Sequence, residues 1–183
     1  RLFNNEVKDK TYGANCYGFT RYIPNSLKKM TITGGTRIPT DAFNGFKSLT
    51  EINLPDTITS VGNNAFYGCG SLPALPNIKN VKTIGSYAFA NCKSLESVTI
   101  PSATDVLGNY AFSNCTSLKT ATISDGVGSI GADVFDKCTA IESITLPYAG
   151  DTLENVNQED SRIYVLSRLF DNKVIDKTYG AVC

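Results

Sequence analysis

The stretch Ile84-Gly85-Ser-Tyr-Ala88-Phe89-Ala-Asn-Cys92-Lys-Ser-Leu95-Glu-Ser-Val98-Thr-Ile100-Pro101 decides how this chain folds, because its apolar positions recur on both sides of it at one fixed interval. The pair Ala-Phe stands at Ala42-Phe43, Ala65-Phe66, Ala88-Phe89 and Ala111-Phe112, Val134-Phe135 continues the series, and each step is 23 residues. An aliphatic residue precedes each pair at Ile38, Val61, Ile84, Leu107 and Ile130; glycine follows it at Gly62, Gly85, Gly108 and Gly131, with Pro39 in the first unit. Behind each pair come Phe46, Cys69, Cys92, Cys115 and Cys138, then Leu49, Leu72, Leu95, Leu118 and Ile141. The units close on Ile52 and Leu54, Val98 and Ile100, Ala121 and Ile123, Ile144 and Leu146.

A unit of 23 residues cannot enclose its own apolar side chains, so like positions must stack on their counterparts in the next unit. The repeat therefore predicts a solenoid. In Leu49-x-x-Ile52-x-Leu54 the alternation points Ile52 and Leu54 inward and Glu51 and Asn53 outward, as in a short strand, and the strands of successive units are expected to form one parallel sheet. The spacing of Ala42, Phe43 and Phe46 predicts one helical turn, and the glycine ahead of it suits a tight corner or a positive φ. Unit two, with Leu72-Pro-Ala-Leu75-Pro76-Asn77, is expected to hold an irregular strand, since proline cannot donate to a ladder.

Composition narrows the chemistry. The chain has 183 residues, seventeen Lys and Arg against seventeen Asp and Glu, and no histidine. Zero net charge supplies no global field to attract nucleic acid or an anionic membrane. Without histidine the common general base, the Ser-His-Asp and Cys-His arrangements and every His-containing zinc site are excluded. No apolar run reaches the ~18 residues of a membrane helix, so no membrane insertion is expected within the chain.

With these residues in register, the sequence resembles the BspA-like, or Treponema pallidum-type, leucine-rich repeat over five consecutive units from about Gly35 to Pro147. The resemblance implies a right-handed, curved solenoid with short parallel strands on its concave face and short helical turns or irregular segments elsewhere. It also implies a large surface or secreted protein associated with adhesion to host matrix proteins or other cells. It carries no catalytic motif and implies no cofactor.

A longer period joins the two ends. Arg1 to Cys16 and Arg168 to Cys183 agree at twelve of sixteen positions and lie 167 residues apart. The chain, which starts at Arg1 without methionine or leader, reads as one period of a tandem array within a longer protein. Residues 1–34 then form the end of a bridging module with a degenerate first coil at Leu27-x-x-Met30-x-Ile32, residues 35–147 the five repeats, and residues 148–183 the start of the next bridging module. Ile163 to Leu166 and Leu169-Phe170 are apolar enough to cover the fifth unit.

Three features invite chemistry. The four cysteines 23 residues apart would form a line, not a tetrahedron, at the ~4.8 Å strand spacing, which suits buried free thiols better than a metal site or a bridged neighbouring pair. The acidic stretch holding Asp151, Glu154, Glu159 and Asp160 lacks EF-hand spacing and reads as a solvated loop. Asn114-Cys115-Thr116 fits a glycosylation sequon, but Cys115 is expected inside.

That leaves surfaces. The outward strand positions are Lys29 and Thr31, Glu51 and Asn53, Ala74 and Pro76, Ser97 and Thr99, Thr120 and Thr122, and Ser143 and Thr145. They make a polar face without the aromatic and arginine side chains that usually dominate binding hot spots. Aromatic residues concentrate in the bridge, at Tyr12, Tyr17, Phe19, Tyr22, Tyr148, Tyr164, Phe170 and Tyr179. The expected function is a non-enzymatic cell-surface or secreted adhesion module binding a protein or glycan of a host or neighbouring cell; the alternative is a spacer that projects another domain.

Overall fold

The computed structural model describes residues 23–146 together with Asn15, Cys16, Phe19, Thr20 and Leu169. Two short strands, β1 (Asn15–Cys16) and β2 (Phe19–Thr20), pair antiparallel. From there the chain winds as a parallel-strand solenoid of about five turns. Each turn begins with a two-residue strand: β4 (Arg37–Ile38), β6 (Ser60–Val61), β7 (Thr83–Ile84), β9 (Val106–Leu107) and β11 (Ser129–Ile130). These five form one continuous parallel sheet, with Ile38, Val61, Ile84, Leu107 and Ile130 in register.

The second strand of each turn is the one that the Leu-x-x-Ile-x-Leu pattern marks. Here β3 (Lys29–Thr31) pairs with β5 (Glu51–Asn53), and β8 (Ser97–Ile100), β10 (Thr120–Ile123) and β12 (Ser143–Thr145) pair among themselves, all parallel. The β3–β5 pairing places a degenerate coil ahead of the first unit. The expected single sheet is thus split in two, because unit two contributes no strand. Pro73 and Pro76 lack the amide hydrogens a ladder needs. The inside–outside alternation also slips there: Pro76, expected outside, is buried, as is Ile78, while Asn77 is exposed. A polar cluster ties the segment down instead, with Asn77 Nδ2 and Lys79 Nζ donating to the Asp56 carboxylate at 2.6 Å and Asn80 Nδ2 to the Asp56 carbonyl at 2.8 Å.

Between the two strands lies the Ala-Phe turn, and it is not helical. Asp41, Asn64, Tyr87, Tyr110 and Asp133 take left-handed φ of 52–56°, and the position four residues later, Gly45 to Lys137, is left-handed in every unit as well. These interruptions stop i→i−4 bonding and turn alternate amides toward the next coil: Phe43 N–H donates to Ala65 O at 2.7 Å, Phe66 N–H to Ala88 O at 2.7 Å and Phe89 N–H to Ala111 O at 2.8 Å. The spacing of apolar residues fits one helical turn and this turn equally well; the coil-to-coil hydrogen bonds select the latter.

The glycines ahead of the turn serve close approach, not positive φ. A Cβ on Gly85 would stand 2.6 Å from the Asn63 amide nitrogen, and one on Gly108 2.4 Å from that of Ser86. Pro39 fills this slot in the first unit, where β4 is the edge of its sheet.

The core is a set of columns. Phe43, Phe66, Phe89, Phe112 and Phe135 are buried and stack with centroids 5.0–5.8 Å apart. Beside them the thiols of Cys69, Cys92, Cys115 and Cys138 donate to the carbonyls of Phe43, Phe66, Phe89 and Phe112 in the preceding coil, at 3.1–3.3 Å. Phe46 replaces cysteine in the first unit and packs edge-on against Phe43, centroids 5.6 Å apart. Leu169 is fully buried and its carbonyl accepts from Phe135 N–H at 2.8 Å, so this residue covers the last coil as the apolar pattern predicts. The other cover residues, Ile163 to Leu166 and Phe170, lie outside the described residues, as does the acidic stretch from Asp151 to Asp160.

Candidate functional site

The strands carry their polar side chains outward in two straight columns. Ser97, Thr120 and Ser143 are register partners, and so are Thr99, Thr122 and Thr145. All are exposed except Thr122, which is half-buried; the residues between them, Val98, Ala121 and Ile144, face the core. Strand pairing alone sets this arrangement, since successive side chains alternate faces and the parallel register aligns like positions.

The first two coils present a different surface. Lys29 and Glu51 are register partners and form an ion pair of 2.7 Å, and Asn53 Nδ2 donates to Glu51 Oε1 at 3.1 Å. The hydrogen bond from Lys29, supported by Asn53 and the lysine charge, holds the Glu51 carboxyl below its ordinary range, and Glu51 raises Lys29 in turn. Glu51 is therefore a paired, ionised side chain with no tendency to act as an acid near neutral pH. The predicted face consequently has two parts, a charged pair with Asn53 and a neutral Ser/Thr patch, separated by unit two.

One charged column went unnoticed in the sequence. Glu96, Lys119 and Glu142 stand exposed one residue before β8, β10 and β12, at the same 23-residue step, and alternate in sign beside the Ser/Thr patch. The period itself carries that signal; it is masked because the side chains differ from unit to unit.

The remaining chemistry is occupied. The thiols of Cys69, Cys92, Cys115 and Cys138 are free and buried. Desolvation pushes Cys69 well above the usual thiol range and Cys92 up to about 12, so both stay protonated and unreactive. Asn114 of the sequon is bonded through its side-chain amide to Asn91, and Cys115 beside it is fully buried. Among the described residues no three acidic or cysteine side chains converge on a metal position. A cleft of about 250 Å³ between Ile23, Leu27, Phe46 and Tyr67 has no carboxylate in its lining. No helix among the described residues is long and apolar enough to cross a membrane.

The stacked 23-residue coils match a known repeat. The model of the BspA type leucine-rich repeat region, in six copies, matches residues 36–164. The chain belongs to the BspA-type leucine-rich repeat family. Among solved structures, a leucine-rich cell surface protein of Faecalibacterium prausnitzii is similar, with 30% identity, a TM-score of 0.62 and 73% of this chain covered. This chain spans 35% of that protein's length. A leucine-rich repeat protein of Bacteroides ovatus is 28% identical with a TM-score of 0.52, covering 69% of this chain and 41% of its own. The T. pallidum leucine-rich repeat protein shares the fold at 22% identity, with a TM-score of 0.55 over 68% of this chain and 72% of its own. No curated protein matches the chain in sequence.

Proposed function

We propose that this BspA-type repeat is a non-enzymatic interaction module of a bacterial cell-surface or secreted protein, binding a protein or glycan of a host or neighbouring cell through its outward strand face. The observation that carries the reading is the in-register Ser/Thr patch of Ser97, Thr99, Thr120, Thr122, Ser143 and Thr145, flanked by Glu51 and Asn53 across unit two. Six hydroxyl side chains held in register on one sheet form a preorganised hydrogen-bonding surface, which lowers the ordering cost of binding. Such contacts are weak singly. The 167-residue repeat between the chain ends supports a tandem array, in which linked copies raise the effective concentration.

The test compares one 183-residue copy with a two-period form against immobilised matrix proteins and glycans. The reading expects binding by the longer form at least ~10²-fold tighter, abolished by Thr122→Arg. Equal absence of binding by both contradicts it. The spacer alternative is favoured by the lack of aromatic or arginine side chains on the strand face, and it expects no binding by either form.

A further inference from the structure

The side chain ahead of each Ala-Phe pair forms a column along the turn wall: Asp41, Asn64, Tyr87, Tyr110 and Asp133. All five sit at left-handed φ of 52–56°. Asp and Asn tolerate that conformation; a bulky aromatic there is an outlier. The two tyrosines are kept against the backbone's preference, which points to a requirement outside folding.

Their rings stack with centroids 4.9 Å apart and planes inclined by 7°. Tyr87 is 39% exposed and belongs, with Tyr67 and Val106, to the three large apolar side chains exposed among the described residues. The stack ends in short side chains, Asn64 on the Tyr87 side and Asp133 on the Tyr110 side, so no third ring of the column covers either outer face. Hydrogen bonding to the Asp133 carboxylate, followed by its charge, pushes the Tyr110 phenol pKa up to about 12. Ion pairs among the described residues join Lys29 to Glu51, Lys79 to Asp56 and Lys137 to Asp136, so Asp133 has no cationic partner there. Asp136 adds to the negative field at Tyr110 and is itself paired with Lys137 at 3.4 Å.

We propose that Tyr87, Tyr110 and Asp133 form a docking site for an arginine side chain of a partner protein. A guanidinium is planar, so it extends a stack of parallel rings, and its N–H fork pairs with a carboxylate that still has lone pairs to offer. Lysine matches the charge without the plane. A neutral sugar uses the rings and leaves the charge of Asp133, which has no cation on it among the described residues, without a role. The site lies on the turn wall, away from the strand face, and does not depend on the function proposed for that face.

The test is a nuclear magnetic resonance titration of the whole chain, with labelled tyrosine rings, using N-acetyl-arginine methylamide at low salt. Saturable shifts of the Tyr87 and Tyr110 ring signals are expected, with the lysine analogue roughly tenfold weaker and methyl glycosides silent. Asp133→Asn and Tyr110→Asn should each remove the response. The second change copies the Asn64 of coil two, so the turn keeps a residue it accepts. Equal shifts by arginine and lysine, shifts by glycosides instead of arginine, an undiminished response in either variant, or no shift at all overturns the proposal.

Discussion

The Cys92 thiol donates to the Phe66 carbonyl of the preceding coil across 3.3 Å. That same carbonyl accepts the Cys69 amide at 3.1 Å, so both of its lone pairs are used and the column needs a small donor at this slot. With Cys16 and Cys183 replaced by serine, a thiol reagent at pH 8 should label none of the four repeat cysteines in the folded chain and all four after unfolding. Thiol ionisation also links to stability. The Cys92 pKa rises from 9.0 to about 12 on folding, so its contribution is intact below pH 9 and declines between pH 9 and 12. The loss is about 1.4 kcal/mol per pH unit. Denaturant midpoints should fall above pH 9, less steeply in Cys92→Ala.

Phe89 stacks on Phe66 at 5.0 Å and on Phe112 at 5.3 Å, and is fully buried. Truncation to alanine removes its burial and both stacking contacts, at a cost of about 3–5 kcal/mol. Because each coil contacts only its neighbours, a break in the middle also uncouples the two halves. Denaturant unfolding of Phe89→Ala should show that loss, with a broadened or two-step transition.

Gly85 and Gly34 make a controlled pair. A Cβ at Gly85 meets the Asn63 amide nitrogen at 2.6 Å and the Gly62 carbonyl carbon at 2.7 Å, whereas one at Gly34 meets nothing within 4 Å. Gly85→Ala must force two coils apart and is expected to cost about 1–3 kcal/mol. Gly34→Ala should shift the melting temperature by little. Calorimetry of the two variants checks both.

Unit two should be the weak point of the strand face. By the register that directs Thr120 N–H to Glu96 O, the Ser97 and Thr99 amides face unit two, where no strand receives them; the backbone bonds there are Ser94 N–H to Gly70 O at 3.1 Å and Glu96 N–H to Pro73 O at 3.3 Å. Hydrogen exchange at Ser97 and Thr99 is expected to be on the order of tenfold or more faster than at Thr120 and Thr122. Equal protection across the four would mean that unit two pairs after all.

How much of this was legible beforehand follows from which residues repeat. The Phe and Cys columns, the strand at Ile52 and Leu54, and the outward Ser and Thr were readable because stacking demands the same residue type in every coil. The two-residue strands such as Thr83–Ile84 were not, since a single inward residue per turn shows no alternation. The left-handed residues escaped as well. Their slots hold Asp, Asn, Tyr, Gly and Lys, so no single residue type repeats through all five units to mark them. For the same reason the Tyr87–Tyr110 stack was hidden within a column that looks variable. The slip at Pro76 was foreseeable as irregularity, but its direction depends on Ile78 filling the core in place of the exposed Asn77.

Like residues lie over one another from coil to coil. The most direct measurement is the set of ring-to-ring nuclear Overhauser contacts in chain labelled at phenylalanine. The predicted result is a single ordered series, Phe43 to Phe66 to Phe89 to Phe112 to Phe135, matching centroid separations of 5.0–5.8 Å, with no contact that skips a coil. Contacts between Phe43 and Phe89, or the absence of contact between Phe66 and Phe89, would contradict the stacked solenoid.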